Sequence, residues 1–122
     1  MIFGFLLFGI LISESDTIYK GTICLVIDDF GYAHNETIEG YFSMEKDFSV
    51  AIIPGHIYSQ SIGEIADSLG FETIIHMPME PFNYGSLSEK GFILSESLNA
   101  KEVEERIDLA FLEIPTAVGM NN

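Results

Sequence analysis

Four short stretches rich in β-branched and apolar residues recur along the chain, at residues 22–27, 49–53, 72–75 and 116–118, each too short for a helix. They predict strands. The first is continuously apolar rather than alternating, so it reads as a strand buried on both faces. Each stretch runs into residues that halt it: Asp28-Asp29, Pro54-Gly55, His76 with Pro78 beyond it, and Gly119. Helical periodicity fills the intervals. Over 59–69, Ile62, Ile65, Ala66 and Leu69 recur at offsets of three and four, with Gly70 as the stop. Over 101–113, Val103, Ile107, Ala110, Phe111 and Ile114 line one side, Asn99 and Glu102 form a cap pair ahead of it, and Pro115 ends it. Residues 35–42 are only weakly helical. Residues 80–94, rich in Gly, Pro, Ser and Asn, read as a long loop with a short strand at 92–94. Strands alternating with helices predict an α/β fold with a parallel sheet.

The first twelve residues break this pattern, having no charged or polar side chain before Ser13, Glu14, Ser15 and Asp16. A membrane-spanning helix needs about 20 apolar residues, so the run is short for crossing a bilayer but matches the core of a signal peptide. Residues 1–15 are therefore expected to be a signal peptide or N-terminal hydrophobic segment, with 16–21 a linker and 22–122 the domain. Export to the periplasm or cell envelope follows, with membrane contact only through that segment if it stays uncleaved. Ser13 and Ser15 suit cleavage after Ser15, although no Lys or Arg precedes the apolar core. Gly4, Gly9 and the abrupt polar boundary argue against the alternative, a strand or helix of the domain itself.

Composition narrows the partners. The chain has 122 residues, room for one small domain, and its 5 Lys+Arg against 19 Asp+Glu give a net charge of −14. Such a surface repels phosphate backbones and anionic lipid, so nucleic acid is excluded as an expected partner. Neutral sugars and metal cations stay open. The lone Cys24 cannot form an intrachain disulfide and, within its apolar run, is expected to act as a small hydrophobe.

Side chains just past the carboxyl ends of parallel strands converge on one face, where ligands bind. Here those positions carry Asp28-Asp29, His56, His76-Met77-Pro78-Met79-Glu80-Pro81 and Gly119-Met120-Asn121-Asn122. One carboxylate and histidines could hold a divalent ion while the other carboxylate deprotonates an attacking water, the outline of a metal hydrolase. Each residue also has a plainer use. The acidic pair could cap a strand-to-helix turn, and His76 could bond a neighbouring loop. Glu80, between Pro78 and Pro81, either orients a partner or faces water. Tyr32 and Phe30 could form a sugar-stacking wall or cover the end of the fold.

Four segments carry a family resemblance: Ile27-Asp28-Asp29-Phe30-Gly31-Tyr32, Val50-Ala51-Ile52-Ile53-Pro54, His76-Met77-Pro78-Met79-Glu80-Pro81 and Ala117-Val118-Gly119-Met120-Asn121-Asn122. In that order they resemble the divergent polysaccharide deacetylases, a branch of the NodB-homology carbohydrate esterases, over roughly 22–122. The resemblance implies an incomplete (β/α) barrel, parallel strands with flanking helices and the C-terminal units missing. It also implies a divalent metal, usually zinc, and hydrolysis of acetyl groups on polysaccharide or oligosaccharide. By the same analogy Asp28 looks like the general base, and Asp29 and His76 like metal ligands. Tyr32, Glu80, Asn121 and Asn122 are expected to contact substrate or orient the ligands. The family continues after the Asn-Asn pair with a His-Met-Gly-Ser-like segment whose histidine completes the site, so this chain is expected to be the N-terminal part of such an enzyme, presenting an unpaired apolar edge at its last strand. With two expected ligands where catalytic zinc usually has three, the alternative is a non-catalytic envelope module that binds glycan or a protein partner.

Overall fold

A computed structural model of the chain describes residues 21–82, 89 and 91–122; the expected export segment and all of the linker but Gly21 lie outside the described residues. Strands and helices alternate: β1 (Leu25–Phe30), α1 (Glu36–Phe42), β2 (Phe48–Ile52), α2 (Ser59–Leu69), β3 (Thr73–His76), α3 (Ala100–Glu113) and β4 (Ala117–Asn121). The strands pair in parallel in the order β1-β2-β3-β4. A doubly wound sheet reverses direction at a switch point, whereas this order never reverses, as in the wall of a (β/α) barrel. The fold is thus α/β and consistent with an incomplete barrel.

Local chemistry accounts for the helix ends. The Asn35 side chain accepts from the Thr37 and Ile38 backbone N–H groups and starts α1, which the periodicity alone only weakly supports. Asn99 and Glu102 form a reciprocal capping box at α3, and α2 stops at Gly70. All three helices contribute to one core: Phe42 of α1, Ile62 and Ala66 of α2 and Ala110 of α3 pack with Phe48, Val50, Ile52 and Ile75 of the sheet. No helix among the described residues is long and apolar enough to cross a membrane.

Two expectations need correction. The first apolar run is not buried on both faces: the strand begins at Leu25, Ile23 is 92% exposed, and Leu25, Val26 and Cys24 are exposed as well. Among the described residues β1 has a neighbour on one side only, and the covered position belongs to β2, whose Val50, Ala51 and Ile52 are fully buried. Cys24 accordingly is not a core residue. The short strand at 92–94 reduces to a single parallel bridge, Met79 to Leu94, in which Glu80 N–H donates to the Leu94 carbonyl and Leu94 N–H to that of Pro78. At the other edge β4 pairs only with β3 among the described residues, leaving Val118 71% exposed.

Candidate functional site

Successive side chains of a regular strand point to opposite faces, so Asp28 and Asp29 should not reach the same partner. β1 is not regular. Ile27 pairs with Val50 and Phe30 with Ile52, so three steps along β1 match two along β2. The extra residue is a bulge, and Asp29 adopts the left-handed conformation there, at φ 66°. Asp tolerates that region better than most residues because its short side chain bonds locally. The bulge has two effects. It returns Phe30 to the helix-facing core, where it stacks on Phe42 and meets Tyr41 edge-on. It also brings both carboxylates to one imidazole: Asp28 Oδ1 lies 3.6 Å from His76 Nδ1, and Asp29 Oδ1 lies 3.5 Å from His76 Nε2.

A second bulge completes the arrangement. Thr73 pairs with Ala117 but Ile75 with Met120, so β4 carries one residue more than β3 and sets Asn121 opposite His76. The Asn121 amide N–H donates to Asp28 Oδ1 at 2.8 Å. Its carbonyl oxygen must then face His76, whose Nδ1 lies 3.1 Å away. An acceptor at that distance fixes the proton on Nδ1. In the neutral ring with that proton on Nδ1, the Nε2 lone pair lies on the side of Asp29, as in a metal-binding histidine whose other nitrogen is held.

The spacing of this pair fits a shared cation. Ligands about 2.0–2.1 Å from a tetrahedral zinc stand about 3.4 Å from one another. Asp29 Oδ1 and His76 Nε2 are 3.5 Å apart. Among the described residues no group of three or more His, Cys, Asp or Glu side chains is arranged to hold a metal together, and Asp29 with His76 is a pair of potential donors only. The Asp29 side chain is 70% exposed and that of His76 19%, so the pair opens to solvent on one side.

The other expected residues fall around this centre. Asn122 donates through its side chain to the Met77 carbonyl at 2.9 Å, and Met77 N–H donates to the Asn121 carbonyl at 2.9 Å, which ties the end of β4 to the segment after β3. Glu80 accepts from the Glu96 backbone N–H at 2.8 Å and so ties the start of the long loop to its far end. Tyr32 stands on the rim against His56, ring centroids 3.9 Å apart, whereas Phe30 belongs to the core. Burial raises the Tyr32 phenol above its ordinary value, and the carboxylates of Glu89 and Asp29 raise it further. His34 lies apart, bonded to Glu39.

Two residues at the site carry no signal in the sequence pattern. Glu89, within the polar loop, is buried with its Oε2 3.3 Å from His56 Nε2. Glu113, at the end of α3, accepts the Gly55 backbone N–H at 3.0 Å and 3.1 Å through its two oxygens. Both are contacts between segments distant in sequence, to which local periodicity is blind.

A family model described as divergent polysaccharide deacetylase matches residues 25–122. An uncharacterized protein of Haemophilus influenzae is 33% identical over 119 residues, 98% of this chain and 41% of that protein. The uncharacterized protein YibQ of Escherichia coli is 34% identical over 118 residues, 96% of this chain and 36% of that protein. The chain thus spans about two fifths of the length of these curated relatives.

Proposed function

This chain belongs to the divergent polysaccharide deacetylase family, and on that premise we propose that Asp28, Asp29, His76 and Asn121 form the centre of a metal-dependent hydrolase that removes acetyl groups from polysaccharide. The supporting observation is the meeting of two carboxylates and one imidazole, from β1 and β3, within 3.6 Å. Asp29 and His76 Nε2 would hold the ion, and a mixed oxygen and nitrogen donor pair suits zinc among divalent metals. The chemistry such an ion supplies is polarisation of the acetyl carbonyl and activation of water.

The remaining steps belong to the side chains. Asp28 accepts the proton of the attacking water as it adds to the acetyl carbon, then delivers it to the departing sugar nitrogen or oxygen as the tetrahedral species collapses. Asn121 keeps Asp28 and His76 in register throughout, donating to one and accepting from the other. The excess of acidic residues favours a neutral glycan and a cation over anionic ligands. We place the protein in the cell envelope on the strength of residues 1–12, and intact mass of the chain recovered from the periplasm tests cleavage after Ser15.

The test of activity is acetate release from acetylated oligosaccharides, with and without a chelator. Metal-dependent release that falls about 10²–10⁴-fold in Asp28→Asn, while the metal is still bound, supports the reading. Release that is unaffected by the chelator, or undiminished in Asp28→Asn, contradicts it.

A further inference from the structure

Beside the candidate metal pair, the loops after β1 and β2 and the far end of the long loop build a platform. Gly31, at φ 112°, packs so closely that an added Cβ would lie 2.9 Å from both the Ile53 carbonyl oxygen and Ser59 Oγ. Its own carbonyl accepts the Tyr58 N–H at 3.3 Å. Ser59 Oγ in turn donates to the Ile53 carbonyl at 2.6 Å and accepts the His56 N–H at 3.0 Å. These bonds lock the two loops together and fix where Tyr32 and His56 emerge. From the other side the segment carrying Glu89 and Phe92 lies directly over Gly55, leaving only 2.7 Å between a Cβ there and the Phe92 ring.

The outcome is a stack of graded exposure. The His56 and Glu89 side chains are 8% and 9% exposed and meet at 3.3 Å, forming a buried base. Tyr32 lies on the imidazole of His56 at a tilt of 52° and is itself 50% exposed. A half-exposed aromatic ring leaning on a buried imidazole, three residues from Asp29, is a surface on which the C–H face of a sugar ring can lie.

Resting on the deacetylase reading for the identity of its ligand, we infer that Tyr32 is a pyranose-binding platform that seats the sugar adjoining the scissile acetyl group, and that His56 and Glu89 are positioning residues that hold its ring. Tyr32 contacts the sugar through the ring rather than the hydroxyl. The phenol also keeps its proton beside two carboxylates, which leaves the platform uncharged toward a neutral sugar.

The experiment is an NMR titration of the metal-free 122-residue chain with tetra-N-acetylchitotetraose and with cellotetraose, following the tyrosine ring signals. Tyr32 signals should move on addition of either probe. Tyr32→Ala should weaken binding about 2–10-fold, the equivalent of losing one ring contact, whereas Tyr32→Phe retains it. His56→Ala should weaken binding less, and the double variant should bind no more weakly than Tyr32→Ala alone, a non-additivity that general destabilisation would not produce. Tyr32 signals that stay still with both probes, equal affinity in Tyr32→Ala, or additive effects of the two substitutions would overturn the assignment. Because no metal or turnover is involved, the platform is tested apart from the hydrolase reading: binding through Tyr32 here, with no metal-dependent acetate release in the separate activity assay, removes the hydrolase reading and leaves the platform standing.

Discussion

Replacing Asn121 by alanine isolates the part of the site that chemistry alone does not name. The side chain makes a 2.8 Å bond to a carboxylate and a 3.1 Å bond to an imidazole nitrogen, and alanine removes both without touching a proposed metal donor. A hydrogen bond to a charged group is worth about 1.5–3 kcal/mol where it is sheltered, but the Asp28 side chain is 45% exposed, so water replaces much of it and the cost to folding is at most about 1 kcal/mol. The cost to the site is larger. Without the Asn121 acceptor only Asp28 Oδ1, 3.6 Å away, remains near Nδ1, so the imidazole is held less firmly and can carry its proton on Nε2, and loss of such a supporting contact typically weakens metal binding about 10–100-fold. Zinc affinity by competition with a chromophoric chelator measures this, with circular dichroism confirming the fold. Long-range ¹⁵N–¹H correlation spectra read the tautomer directly: His76 should carry its proton on Nδ1 in the parent chain and as a mixture in Asn121→Ala. An unchanged affinity together with an unchanged tautomer would refute the reasoning.

Three further outcomes follow from other parts of the fold. Gly31→Ala forces a side chain into a backbone region costing about 1–3 kcal/mol, with overlap on the Ile53 carbonyl in addition, and chemical denaturation should register at least that loss; a change under about 0.5 kcal/mol would speak against the loop packing. Val118→Lys, at an exposed position of β4, which among the described residues pairs only with β3, should lower the association seen in sedimentation velocity at high protein concentration, since a charged edge resists strand pairing; association absent from the parent chain, or equal in both chains, would argue against edge pairing. Tyr32 holds its proton more tightly folded than unfolded, so above about pH 10 the unfolded chain loses that proton first and stability declines as pH rises. In an absorbance titration of tyrosinate, Tyr32→Phe should lack a component that ionises above the ordinary tyrosine range, and retention of that component would assign it elsewhere.

How far the sequence reveals this arrangement depends on the range of the interactions involved. Helices α2 and α3 are legible because their apolar spacing, the Gly70 stop and the Asn99–Glu102 box are local. So is the strand-helix alternation that gives a parallel sheet. The burial of β1 was not, because an edge strand and an inner strand can share an apolar run, and only the strand order separates Leu25 and Val26 from Val50 and Ala51. At the site, the types and approximate places of Asp28, Asp29, His76 and Asn121 are readable from strand ends and from the family resemblance. Their convergence rests on two bulges, neither of which periodicity predicts. In the regular ladder the residue opposite His76 would be Met120; the extra residue in β4 substitutes Asn121. Tyr32 and Phe30, equivalent as a possible wall in the sequence, separate once the bulge turns Phe30 into the core.

X-ray absorption at the zinc edge of the metal-loaded chain bears most directly on the claim that one carboxylate and one imidazole share a cation. The account requires imidazole scattering in the parent chain that disappears in His76→Ala, and one fewer protein oxygen in Asp29→Ala. A shell without imidazole, or one unaltered by both substitutions, would contradict it.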